Sequence, residues 1–200
     1  MGSAEPMGRL WRPAAVHRLL RVAAVTLVLA ACAQPPTPSA VSPSTPELAA
    51  GQVTRAGITL AATASPAHAA VGEHITVVAE LSHDEPTPLV VWGSGTGIVF
   101  FSVTRQEDGL SSGPPVSQGD CARYELPPGE PTVVPFAKSG GWSPGDPNAD
   151  FLRTYFSEPE LILPPGTWRI DITTSGTLGD GCGTGELLGH GLALVVTVTD

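Results

Sequence analysis

Three cysteines, five histidines and a surplus of carboxylates are the residues of this 200-residue chain whose types could do chemistry. Cys121 and Cys182 lie in glycine-rich stretches, GDCAR and GDGCGTG, and no CxxC or HxxC pair is present. Spacing therefore lends no support to a thiolate metal site or a reactive thiol. His190, between Gly189 and Gly191, could approach Cys182 in a compact loop. Cys121, Cys182 and His190 are thus the set to test for metal handling or redox work. A copper or zinc ion needs three or four converging donors. His74 and His83 are nine apart on one strand, roughly 30 Å if extended, and on opposite faces, so they cannot share an ion. With His68, they read as exposed loop or surface histidines, and no metal or cofactor is expected. Asp146, Asp150, Glu158 and Glu160 surround proline-rich loops and could hold Ca²⁺ weakly, but a solvated acidic face needs no ion. Trp142, in SGGWSPGD, is a lone loop aromatic that could anchor a partner or fold back over a sheet edge. Gly141–Gly145 (GWSPG) has GxSxG spacing but lies in a Gly/Pro loop with no strand running into it, so it is not a nucleophile elbow, and with no HExxH and no P-loop the reading is non-enzymatic.

The elements that would place these residues begin with an address. Arg9, Arg12, Arg18 and Arg21 form a basic stretch, and Val22–Ala31 is an uncharged apolar run. The run is too short for a spanning helix, which needs about 20 residues. It ends in Leu29-Ala30-Ala31-Cys32. This resembles the bacterial lipobox, a leucine, two small residues and a cysteine. The resemblance implies a signal peptide over residues 1–31, cut before Cys32, with the Cys32 thiol lipidated and the new amino terminus acylated. Myristoylation does not fit, because Pro6 stands where Ser or Thr is needed. With Cys32 carrying lipid, Cys121 and Cys182 remain in an exported domain. Two such cysteines favour one disulfide, which would pin two long loops and stabilise by about 4 kcal/mol.

The whole chain carries ten Lys and Arg against nineteen Asp and Glu, a net −9, which argues against nucleic acid. Residues 1–31 hold four of the basic residues and one acid, which leaves six against eighteen, or −12. Such an anion would not adhere to an anionic bilayer by charge, so attachment must come from the lipid.

Residues 32–52 contain Pro35, Pro36, Pro38, Pro43 and Pro46 among Ser, Thr and Ala. This composition favours extended, unburied chain and reads as a tether. Ser and Thr beside Pro could also accept O-glycans.

Residues 53–200 show period two. Ile58, Leu60, Ala62 and Ala64 alternate with small or polar residues, as do Ile75, Val77, Ala79 and Leu81. Val99, Phe101 and Val103 follow the same pattern, then Trp168, Ile170 and Ile172, then Leu192, Leu194, Val196 and Val198. Each set predicts a strand with one buried face. Leu89–Trp92 and Glu130–Phe136 are shorter candidates, and Pro131 and Pro135 push the latter towards an edge. No helical period runs beyond two turns. About seven strands between Gly/Pro turns predict one all-β, antiparallel, immunoglobulin-like sandwich. The phrase Leu-Pro-Pro-Gly, at Leu126–Gly129 and Leu163–Gly166, predicts two type II turns.

The order LVVWGSGTGIVFFSVTRQEDG, then ELPPGEPTVVPF, then LPPGTWRIDI is similar to the immunoglobulin-like domain of BsuPI-type proteinase inhibitors and related envelope lipoproteins. The likeness spans roughly Ile75–Ile172. It implies a serine-protease inhibitor with a rigid exposed loop, at Gly109–Asp120 or Gly140–Asp150. The cysteines and the glycine-rich Ser175–Gly191 depart from that group. Three functions follow. The leading one is a lipid-anchored envelope lipoprotein on the extracytoplasmic side, a non-catalytic module binding an envelope protein or glycan. The second is a BsuPI-like inhibitor, and the third uses Cys121, Cys182 and His190 for metal or redox work.

Overall fold

Alternation of apolar and polar residues sets each strand's inward face in the computed structural model, which describes residues 47–200. The expected signal peptide, with Leu29, Ala30, Ala31 and Cys32, lies outside those residues, as does most of the tether. The strands are β1 (Ala49–Arg55), β2 (Ile58–Ser65), β3 (His68–Ala70), β4 (Thr76–His83), β5 (Leu89–Ser94), β6 (Val99–Arg105), β7 (Cys121–Leu126) and β8 (Thr132–Pro135). A single helix, α1 (Ala149–Ser157), comes next. β9 (Gly166–Thr174), β10 (Thr177–Leu178), β11 (Glu186–Leu187) and β12 (Gly191–Thr199) complete the order.

They form an all-β sandwich built from three four-stranded sheets. The first runs β1-β2-β4-β8 and the second β3-β12-β9-β6. Their inward residues meet in one core that joins Leu60, Ala62, Val77 and Leu81 to Val103, Trp168, Ile170, Ile172, Leu194 and Val196. The third sheet, β11-β10-β5-β7, adds Val91 and Leu126 to the same core. Pairing is antiparallel except that β3 runs parallel to β12, Ala69 opposite Val198. That pairing departs from the purely antiparallel expectation. β3 is reached by a short connection from β2, a strand of the opposite sheet, so a long crossover is not needed.

Three elements differ from the sequence reading. β1 starts at Ala49, so residues 49–52 of the expected tether are strand. Gly51 makes this possible, since a Cβ there would meet Leu192 Cδ1 at 2.7 Å. β7 takes in Cys121, which was expected in a long loop. α1 replaces part of the expected loops and exceeds two turns. It buries Leu152 and Tyr155 against the sandwich. The Phe151 ring stacks on Trp168 at 5.5 Å, while the Arg105 guanidinium lies 5.7 Å from the Trp168 ring. Trp168 is thus covered completely, and its indole N–H donates to the Pro164 carbonyl.

The two Leu-Pro-Pro-Gly segments also part company. Pro128 and Gly129 form a turn, with Gly129 at φ 71, which fits a type II turn. At the second, Gly166 has φ 140 and already begins β9, so no type II turn forms there. A Cβ on Gly166 would run into the Arg105 side chain at 2.6 Å.

Candidate binding cleft

Consecutive strands β7 and β8 are joined by the Pro127–Pro131 turn, yet they end different sheets. β7 is the outer strand of the third sheet and β8 the outer strand of the first. They diverge from the turn, and an apolar cavity of about 240 Å³ fills the angle between them. Leu81 of β4, Val99 and Phe101 of β6, Tyr124 and Leu126 of β7, and Val134 of β8 line it. Alternation explains each placement. Leu81, Phe101 and Leu126 hold inward positions on their strands and are buried, and Val134 holds the inward phase of β8. Phe101 is braced from behind by Phe136, ring centroids 5.3 Å apart.

Two polar side chains at the cavity, Tyr124 and Glu125, are already engaged. The Tyr124 hydroxyl donates to the Ser94 carbonyl at 2.5 Å. Glu125, at the wall, pairs with Arg123 at 3.0 Å. A second recess, of about 440 Å³, shares Thr96, Val99 and Ala137 with the first. It extends the cleft past Gly140 to Val116, which is 60% exposed.

Lys138 borders that second recess but does not offer its charge to it. Its ammonium donates to the carbonyls of Tyr155, Glu158 and Glu160 at 2.5, 2.6 and 2.7 Å. It also lies 4.4 Å from the Tyr155 ring centroid. Burial pushes the Lys138 pKa down, and the Glu158 carboxylate pushes it back up. Burial likewise raises the Tyr155 phenol to about 12, against a smaller lowering by Ser112. Lys138 therefore ties the end of α1 to the segment that follows β8.

The other residues singled out from sequence are placed as follows. Cys121 and Cys182 are bonded to each other, with Cα atoms 5.8 Å apart. The bridge lies at a surface recess of about 300 Å³ with Trp92, Asp120 and Leu187. His190 does not approach them. It is buried, its Nε2 lies 3.1 Å from the Ile58 carbonyl, and its Nδ1 lies 3.4 Å from the Thr174 hydroxyl. The metal or redox set of Cys121, Cys182 and His190 is therefore not assembled. Among the described residues no three His, Cys, Asp or Glu side chains converge as metal ligands.

His83 is also buried, where an exposed loop residue was expected. Its Nε2 lies 3.0 Å from the Leu126 carbonyl and links β4 to β7. His74 and His68 are exposed. Asp146 and Asp150 border one recess at the start of α1, whereas Glu158 and Glu160 follow its far end. Asp146 accepts from the Ser143 N–H and Asp150 from Arg153. Trp142 is 41% exposed on the loop before α1. Gly109–Asp120 starts with a bridge of Ser111 to Thr104 and a buried Ser112, so its first part is fastened to β6.

The sequence reading missed the cleft itself, because strand order and free edges are not properties of any one segment. Among the described residues no helix is long and apolar enough to cross a membrane. No protein-family model matches this sequence, and no curated protein sequence does.

Proposed function

We propose that this chain is a lipid-anchored envelope lipoprotein whose β-sandwich is a non-catalytic binding module, and that the β7–β8 cleft is its binding site. The observation that carries the reading is the apolar cavity left beside the core between two terminal strands of different sheets. Ligand sites favour such concave, mainly apolar places. No nucleophile–base hydrogen bond is formed among the described side chains beside it, and Tyr124, Glu125 and Lys138 are already spent on ion pairs or backbone carbonyls.

The anchoring half of the reading rests on the lipobox-like Leu29-Ala30-Ala31-Cys32 and the basic and apolar stretches before it. Its test is the intact mass of the chain from the membrane fraction of a bacterial host. Cleavage before Cys32 with a diacylglyceryl-sized increment is expected. An unprocessed chain of full mass overturns the anchor. For the binding half, a photo-crosslinking side chain is placed at exposed Val133, beside the cleft, and a control at Thr54 on β1. Adducts at Val133 alone, with one recurring envelope component and competed by unlabelled protein, are expected. Equal labelling from both positions overturns the site.

A further inference from the structure

Resting on the cleft as the binding site, we infer that its occupant is an extended segment of a partner protein, with alternating apolar residues and flanking Lys or Arg, laid along the β7 edge. The two strand edges beside the cleft differ in what they offer. The Phe136 N–H donates to the Val77 carbonyl, so by antiparallel alternation Val134 and Thr132 also bond to β4. Val133 then faces the free edge, and Pro135, the other outward position, has no N–H. β8 is blunted by Pro131 and Pro135 in the way edge strands commonly are. β7 holds no proline and presents the longer rail, although at its Leu126 end the carbonyl is held by His83. Strand addition takes affinity from main-chain hydrogen bonds and specificity from pockets that receive alternate side chains. The 240 Å³ cavity, walled by Leu81, Phe101, Leu126 and Val134, is such a pocket beside such an edge.

Charge identifies the flanks. The described residues hold six basic side chains, and all six are engaged. Arg105, Arg123, Arg153 and Arg169 pair with Asp108, Glu125, Asp150 and Asp171. Arg55 donates to the Gly189 carbonyl, and Lys138 to three carbonyls. Fourteen of the eighteen acids make no ion pair with Lys or Arg among the described residues. Glu130, exposed on the β7–β8 turn, is one of them. A cationic segment is attracted to this surface, and a second copy of this anion is repelled.

The test uses the full chain in detergent and three labelled synthetic nonapeptides, read by fluorescence anisotropy and amide hydrogen exchange. One alternates valine or leucine with threonine and ends in lysines. The second replaces the lysines with glutamates, and the third puts prolines at alternate positions. The lysine peptide is expected to bind at least tenfold tighter than the other two and to slow exchange across Cys121–Leu126. Val134→Trp, which fills the cavity, is expected to abolish binding, and Glu130→Lys to weaken it severalfold. If Val134→Trp does not fold, the exchange pattern of the unaltered protein decides. Equal binding of all three peptides, no binding, or protection away from β7 overturns the proposal. So does octanoate that enters the cavity without displacing peptide, or concentration-dependent dimerisation. Peptide failure with specific Val133 crosslinks intact rejects the extended segment and leaves the binding module standing. Loss of both rejects the cleft.

Discussion

Lys138 is the chain's one lysine, and its ammonium is spent on the carbonyls around the end of α1. A helix leaves its last carbonyls without partners, and a cation there is favoured by the helix dipole as well. Lys138→Met keeps the stem and deletes three charged hydrogen bonds, so a loss of about 2 kcal/mol is expected from the denaturation midpoint. Lys138→Arg should not restore it, because a planar fork cannot serve three carbonyls that converge on a point. A second residue-scale prediction concerns acid. Arg105 grips Asp108 through two bonds, at 3.0 and 2.7 Å, and holds its carboxyl down at about 2 from an ordinary 3.8. A depressed carboxyl contributes stability fully above the unfolded value and loses it as pH falls through the folded one. Urea midpoints taken between those two values should therefore fall more steeply for the unaltered protein than for Asp108→Asn. Parallel curves would show the pair contributes nothing.

Among the elements, the disulfide fastens the weakest ones. β10 and β11 are two residues each, and β10 meets β5 at the single pair Thr177–Trp92. Cys182 lies in the turn between them and Cys121 starts β7, with 61 residues of separation. Replacing both by Ser should lower stability by about 4 kcal/mol, since the unfolded chain regains the freedom of that loop. Guanidinium unfolding measures it, and a loss below about 1 kcal/mol would mean the unfolded state stays compact without the bridge. The long strands were legible because each repeats an apolar residue at every second position three or four times on one side. Ile75, Val77, Ala79 and Leu81 are an example, and His83 continues their phase, which is why it is buried. That phase was a usable signal for His83. β7 was harder to read, because in CARYEL the inward phase of Ala122, Tyr124 and Leu126 is only three residues long and opens on a small one. α1 had a signal in Phe151, Leu152, Tyr155 and Phe156, which share one helical face, but glycine and proline crowd the preceding segment. The cleft needs the knowledge that β7 and β8 join different sheets, and that information lies in tertiary pairing.

Charge acts on the molecule as a whole. Across residues 47–200, six basic side chains against eighteen acids leave a surface that repels itself, and the Arg123–Glu125 and Arg153–Asp150 pairs are exposed on both sides, so each offsets little. The repulsion reaches across the domain when the screening length is about 30 Å, near 0.01 M salt, and fades when it is about 8 Å, near 0.15 M. Raising sodium chloride across that range should therefore raise the thermal midpoint by a few degrees, the reverse of what a fold held by ion pairs would do. Sodium perchlorate at equal ionic strength serves as control, because it screens similarly without favouring burial by exclusion. A midpoint that falls with both salts would show that the arginine pairs outweigh the net charge. The same imbalance bears on function. An anion of this size is pushed from an anionic bilayer, so a covalent lipid would have to supply all of the attachment. On the proposed reading a cationic partner would associate at a rate that declines as salt rises, while its apolar anchor in the cleft would set dissociation.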